Sequence, residues 1–259
     1  MSLFIRLTVI SLILTLTISV AYTKQSITCS DCTNSTSVIA LILARGGSKG
    51  ILKKNLMPVN GVSLLGRTIQ TINASKLFPE IWVSTDEEAI KNEATKYGAL
   101  VHIRPESVSR DYTTSIDSTR EFIQKHKYIR KLALFQCTSV FLKLDYVIKA
   151  FELFKTSECV FATTRSFKLR WSLNADGSLV PLNFDPKNRP RRQDWSGELV
   201  ETGMFYFANR DLIDQNVFQS DRCSNVVVSP RDSLEIDTAN DLNVARCLVE
   251  KENIALGKN

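Results

Sequence analysis

Leu43-Ala44-Arg45-Gly46-Gly47-Ser48-Lys49-Gly50 packs three glycines, two cations and a serine into one short turn, with Lys54-Asn55 close behind. Glycine lets a backbone approach phosphate closely. The exposed N–H groups form an anion nest, and Arg45, Ser48 and Lys49 add charge-assisted donors. The spacing is not the G-x-x-x-x-G-K-[ST] of a Walker A loop. Glycines alone could mark only a tight turn; the cations and the serine point to a triphosphate.

Three other groups could do chemistry. Glu235-Ile236-Asp237 sets two carboxylates on either side of one apolar residue. Taken alone, these residues read as a strand end feeding a helix N-terminus, where acids favour the helix dipole. Arg189-Pro190-Arg191-Arg192 is the one dense basic cluster, readable as a solvated arm or, in a cytosolic protein, an import signal. Thr113-Thr114-Ser115 could line a polar pocket or cap the next helix.

The elements that must position these residues alternate. Val38 to Leu43 is a continuous apolar run, as expected of a strand buried on both faces. Leu65, Ile69 and Ile72 recur at helical spacing, giving a helix that ends near Leu77. Strands are expected at 81–84, 100–103, 132–135 and 159–163, with helices at 87–97, closed by Gly98, and at 115–127 and 145–154. Repeated units of this length imply a parallel sheet covered on both faces, with ligands at the carboxyl ends of its strands. After Thr164 the pattern changes. Strands at 169–173, 178–182 and 199–207, an Asp176-Gly177 turn and the polar stretch 183–195 read as an insertion. A strand at 226–229 and a helix near 238–251 close the chain.

The chain has 259 residues, 44% apolar and 23% charged, enough for one large α/β domain with an insertion. The net charge of +6 suits nucleic acid, an anionic membrane or a small anionic substrate. The basic residues are dispersed and not interleaved with aromatics, so no nucleic-acid partner is expected. Residues 1–23 carry a basic start and an apolar stretch from Leu7 to Tyr22, the pattern of a signal peptide or a retained signal-anchor. A membrane partner is expected only for the anchor. Residues 24–37 read as a polar linker, and 38–259 as the folded domain. Asn34 and Asn73 lie in N-glycosylation sequons, usable only in the secretory lumen. Cys29-x-x-Cys32 suits a local disulfide or two idle thiols better than zinc, since His102 and His126 lie far from it in sequence. Cys137, Cys159, Cys223 and Cys247 sit in apolar runs and read as buried core thiols rather than bridges.

The loop from Leu43 to Asn55 resembles the nucleotide-binding loop of the CMP-sialic acid synthetases (N-acylneuraminate cytidylyltransferases), whose pattern runs L-A-R-x-x-S-K-G-x-x-x-K-N. Matches follow in order: Trp82-Val83-Ser84-Thr85-Asp86, Arg104-Pro105-Glu106, Thr113-Thr114-Ser115, Gln136-Cys137-Thr138-Ser139, the string Arg189 to Trp195 typical of animal members, and Ser233-Leu234-Glu235-Ile236-Asp237. The chain departs from the family at Glu235, usually aspartate, at Val140, usually proline, and at Leu52 and Lys53 in the loop.

The resemblance implies a three-layer, Rossmann-like α/β nucleotidyltransferase fold with a mostly parallel sheet and a β-rich dimerisation arm inserted at about 165–205. It implies Mg²⁺-dependent transfer of CMP from CTP to N-acetylneuraminic acid, with pyrophosphate released. Arg45, Ser48, Lys54 and Asn55 would hold the nucleotide's phosphates and ribose, Arg104, Thr113 and Ser115 would line its pocket, and Gln136 would meet the sugar. Arg191 matches a catalytic arginine, and Glu235 with Asp237 the metal-binding carboxylates; Lys54 and Asp237 complete the catalytic set. It further implies a homodimer and, with the N-terminal segment, residence in the secretory pathway, in the Golgi or the ER lumen. The alternatives are a cytidylyltransferase for another acidic sugar such as Kdo, or a catalytically inactive lumenal sugar-binding relative.

Overall fold

The computed structural model describes residues 37–255 apart from 48, 49 and 111. The expected signal segment, linker, Asn34, Cys29-x-x-Cys32 and Ser48 therefore lie outside the described residues. Strand β1 (Val38–Leu43) leads through the glycine-rich loop and a 3₁₀ turn at Lys54–Leu56 to a small hairpin, β2 (Pro58–Val59) and β3 (Val62–Ser63). Helix α1 (Leu64–Ser75), β4 (Ile81–Thr85), α2 (Glu88–Lys96), β5 (Leu100–Ile103), α3 (Ser115–Lys125), β6 (Lys131–Phe135), α4 (Leu144–Phe154) and β7 (Cys159–Ser166) follow. The chain continues through β8 (Trp171–Leu173), β9 (Leu179–Pro181), β10 (Glu198–Asn209), α5 (Arg210–Asp214), β11 (Cys223–Val228) and α6 (Ala239–Ala255).

Seven strands form the central sheet in the order β11-β7-β10-β6-β1-β4-β5. All neighbours run parallel except β10, which is antiparallel to both β6 and β7. The apolar run of β1 now has its reason. Val38, Ala40 and Ile42 face one layer with Leu65, Ile69 and Ile72 of α1, while Ile39 and Leu41 face Phe122 and Ile123 of α3. Alternate side chains enter opposite cores, so no position along the strand can be polar.

Each boundary has a local cause. Ser63 caps α1 by accepting from Gly66 N at 2.9 Å. Thr114 and Asp117 form a capping box that starts α3. The β2–β3 hairpin turns at Asn60 and Gly61, both at positive φ, and Asn-Gly is the strongest short hairpin signal a sequence carries. That signal went unread.

The inserted segment divides in two. Strands β8 and β9 form a separate two-stranded hairpin about Asp176-Gly177, as expected, with Gly177 at φ 84°. Residues 198–205, placed by sequence in the arm, belong to β10, whose residues 198–201 pair with the end of β7 and whose residues 205–209 lie between β7 and β6. The 12-residue strand enters the sheet partway along: its largely exposed first residues pair with β7 alone, and from Phe205 onward, with Phe205 and Phe207 buried, it also pairs with β6.

Two cysteine expectations fail. Cys159 and Cys223 are register partners on adjacent strands β7 and β11 and are disulfide-bonded across 64 residues. Cys247 is exposed, on the outer face of α6, whereas Cys137 is the buried thiol expected. Burial pushes the Cys137 thiol up to about 12, so it stays protonated. The histidines are also not solitary. His102 Nε2 lies 2.8 Å from Glu121 Oε2, and its Nδ1 lies 3.2 Å from His126 Nε2.

Candidate active site

The strand order reverses direction at β1, which lies between β4 and β6. A crevice opens at such a switch point, outside the carboxyl ends of the two central strands. The loop after β1 and the Gln136–Ser139 segment after β6 both emerge there. Leu43, Asn55, Ser115, Gln136 and Thr138 line a small cleft of about 80 Å³ between them.

The loop is tied down from both sides. Gly46 N donates to Asp86 Oδ1 at 3.0 Å, and Asn55 Nδ2 donates to the Arg45 carbonyl at 3.2 Å. Lys54 Nζ reaches Asp237 Oδ1 at 3.1 Å, 183 residues away in sequence. A methyl group on Gly50 would stand 2.4 Å from the Asp237 carbonyl oxygen, so only glycine allows this approach. Loop and acidic turn thus meet at Lys54 and Asp237.

Arg104, at the end of β5, is 5% exposed. Its guanidinium donates to Ser118 Oγ at 3.1 Å and, more weakly, to the Ser84 carbonyl at 3.4 Å. Burial lowers its pKa, with Asp86 opposing. Arg104, Arg45, Thr113, Ser115 and Ser118 together line a polar cavity of about 250 Å³. Thr114 performs the capping and lines the cavity together with Thr113 and Ser115.

The bland reading of the acidic turn can also be tested. The residue that serves the α6 N-terminus is Asp241, whose Oδ2 accepts from Thr238 N and Thr238 Oγ1, both at 2.8 Å. Neither carboxylate of Glu235 or Asp237 is used by the helix. Glu235 Oε1 accepts from Thr138 Oγ1 at 3.0 Å, and the buried Ile236 between them donates its N–H to the Thr138 carbonyl at 3.0 Å. β10 is irregular between Glu201 and Tyr206, and Gly203 in that bulge faces Gln136 and Glu235.

Burial, and secondarily the charge of Asp237, push the Glu235 carboxyl above the ordinary glutamate range; Thr138 and Lys54 pull the other way. A carboxyl that holds its proton more tightly when folded stabilises the fold at low pH. That contribution is lost as pH rises from the ordinary glutamate value through the raised one. Glu235→Gln should therefore melt above the unmodified chain at pH 7.5, with the gap closing towards pH 4. Thermal scans across that range would refute this if the gap widened on acidification.

A third cavity, about 410 Å³, adjoins the first two through Ser115 and Gln136. Glu201, Tyr206, Phe218 and Gln219 complete it. Glu201 accepts from the Tyr206 hydroxyl and from Gln219 Nε2, the latter at 2.8 Å. These residues escaped sequence reasoning. No local pattern marks them, because an antiparallel strand and the loop after α5 bring them in.

One expected site residue stands apart. Arg191 lies in the exposed 183–197 stretch and pairs with Asp194 of the same stretch. Within a single chain it is not joined to the Lys54–Asp237 group. Among the described residues no three His, Cys, Asp or Glu side chains form a ready metal cluster.

The family model described as Cytidylyltransferase matches residues 39–220, which takes in the loop, Arg104 and Gln136 but stops short of the acidic turn. N-acylneuraminate cytidylyltransferase A of Danio rerio is 41% identical over 213 residues, covering 80% of this chain and 50% of that protein. The N-acylneuraminate cytidylyltransferase of Oncorhynchus mykiss is 39% identical, covering 80% and 49%. The chain thus spans about half the length of these curated relatives. CMP:2-keto-3-deoxy-manno-octonic acid synthetase, solved with CTP, superposes with a TM-score of 0.63 at 16% identity, over 84% of this chain and 100% of that one. At that identity the likeness speaks for the fold alone: a mixed α/β architecture with a mostly parallel sheet. The family match spans most of the chain and carries the crevice with it, so the chain belongs to the cytidylyltransferase family.

Proposed function

We propose that this chain joins an acidic sugar, N-acetylneuraminic acid, to the CMP moiety of CTP. The sugar's 2-hydroxyl oxygen attacks the α-phosphorus and gives up its proton to solvent, the α–β phosphoanhydride bond breaks, and pyrophosphate leaves with the electron pair. The observation that carries this reading is the Lys54–Asp237 contact, which ties a cation-rich strand-end loop to two carboxylates at the sheet's switch point. Names of relatives supply the sugar.

Charge decides what each side chain does. Negative charge grows on the departing pyrophosphate, so fixed cations lower the barrier more than a covalent intermediate would. Arg45 and Lys54 face the phosphates; Asn55 holds the loop by its Arg45 carbonyl bond. Arg104, Thr113 and Ser115 take the nucleoside end of the crevice. Gln136, shared by two adjoining cavities, stands between nucleotide and sugar, and the larger cavity is the acceptor site.

Glu235 and Asp237 fit a divalent cation such as Mg²⁺, held jointly with the substrate. Mg²⁺ takes one or two carboxylates and completes its shell with phosphate oxygens and water, so no three-ligand protein cluster is needed. When bound, the ion supplies Lewis-acid charge to the phosphoryl oxygens.

A homodimer belongs to the same proposal. Its arm would bring Arg191 to the neighbour's crevice, where a single chain does not place it. The hairpin offers an apolar surface for this, since Trp171, Leu173, Leu179 and Leu182 are all exposed. Residence in the secretory pathway, in the Golgi or the ER lumen, is consistent with the Cys159–Cys223 bond, of a kind that persists in oxidising compartments.

The test is direct. Purified chain is incubated with CTP, Mg²⁺ and N-acetylneuraminic acid, and pyrophosphate and CMP-sugar are measured in equal amounts. Turnover with Kdo in its place would reassign the sugar. Absence of turnover with every acidic sugar would overturn the proposal.

A further inference from the structure

Among the described residues Asp232 is the one carboxylate in the fully buried set, 1% exposed, and it lies outside every cavity of the crevice. Burying a carboxylate costs several kcal/mol unless it is paired and hydrogen-bonded. Its Oδ2 accepts from Lys143 Nζ at 2.7 Å and from the Tyr146 hydroxyl at 2.6 Å. Its Oδ1 is buried with no partner. A group this costly and only half satisfied needs a reason.

The reason lies in what the group holds. The Tyr146 oxygen also accepts from Ser229 N at 3.1 Å. Asp232 N and Ser233 N both donate to the Ser229 carbonyl, at 2.9 and 3.1 Å. One phenol on α4 thus clamps both ends of the turn 229–233, which begins where β11 ends and delivers Glu235 two residues after it closes. The Arg231 guanidinium adds a third contact, stacking 5.8 Å from the Phe141 ring. The chain segment 138–146 therefore grips the segment 229–236 at both ends, with the Arg231–Phe141 contact between them. Thr138 holds Glu235 and Ile236 at one end, and Lys143 with Tyr146 holds Asp232 at the other.

We infer that Asp232, Tyr146 and Lys143 are positioning residues that fix the acidic turn for its divalent cation, an inference that rests on the function proposed above. None of the three touches the crevice. They act through the backbone between Asp232 and Glu235, in the way that groups behind a metal ligand set its orientation, where substitution costs about 10- to 100-fold in metal affinity.

The test compares the unmodified chain with Tyr146→Phe and Asp232→Asn. CTP affinity is measured by calorimetry in EDTA and again in Mg²⁺, and each variant is checked by thermal unfolding. The unmodified chain should bind CTP more tightly in Mg²⁺. Both variants should match it within about twofold in EDTA and lose about 10-fold of the Mg²⁺-dependent gain. Tyr146→Phe keeps the ring packing, so it remains informative if Asp232→Asn fails to fold. A full Mg²⁺ gain in the folded variants overturns the inference, as does an equal loss of CTP affinity in EDTA, which marks a merely structural role. An unmodified chain that binds CTP without any Mg²⁺ gain overturns it while leaving the nucleotide reading standing. One that binds no CTP in either buffer sinks both.

Discussion

Asp237→Ala is expected to cut CMP-sugar formation by on the order of a hundredfold or more while leaving the chain folded. The size follows from what the carboxylate would do. A cation polarising phosphoryl oxygens supplies several kcal/mol to the transition state, and each 1.36 kcal/mol is a factor of about ten in rate. The intact fold follows from exposure. The Asp237 side chain is 68% exposed, and its one ion pair, to Lys54, is of the solvent-screened kind that adds little stability. Steady-state pyrophosphate release, with a thermal scan as control, checks both halves. Asp237→Asn separates charge from shape: it keeps the acceptor facing Lys54 but lowers the affinity for a divalent cation. Near-normal turnover in the alanine variant would remove Asp237 from the metal and catalytic assignments.

Loss of the Cys159–Cys223 bond is expected to have the largest effect on stability. The bond closes a loop of 64 residues, and in the chain-entropy account that restricts the unfolded ensemble by roughly 4 kcal/mol. For a chain of this size, each kcal/mol moves the midpoint by about 2–4 °C. The Cys159→Ala/Cys223→Ala double variant should thus melt roughly 10 °C below the oxidised chain. The unmodified chain unfolded in reductant should approach the same midpoint. The effect is confined to stability, since β7 and β11 form the far edge of the sheet from β1 and its loop. A midpoint shift under 2 °C, with the thiols shown to be oxidised at the start, would contradict it.

These expectations draw unequally on sequence and structure. The alternation of strands and helices was plain in the chain, because β1 and β6 are buried on both faces and α1, α3 and α4 on one, and each pattern imprints its own period. The glycine-rich loop could be read for the same reason. Its chemistry is local, with donors and cations inside a dozen residues. β10 could not be placed that way. An antiparallel strand that enters between two parallel neighbours looks, in sequence, like any other strand, and the insertion before it drew its first half into the arm.

Pairing at long range is where sequence was silent. Nothing about Cys159 or Cys223 alone distinguishes a buried thiol from half of a disulfide; only the parallel register of β7 and β11 puts them side by side. The same holds for His102 with His126, for Glu201 with Gln219, and for the Tyr146–Asp232 clamp, whose members are 86 residues apart.

The acids Glu235 and Asp237 stood out only through the family resemblance; by itself, local sequence determined the kind of sheet and the cation- and glycine-rich turn after β1. Local periodicity and local donors suffice for those, since each arises from residues within one or two turns of one another. Only the tertiary structure decided that Lys54 meets Asp237, that Asp241 rather than Asp237 serves the helix, and that Arg191 lies apart from the crevice of its own chain. Such meetings depend on strand order and on which loops leave the same edge of the sheet. Spacing along a chain carries no record of either.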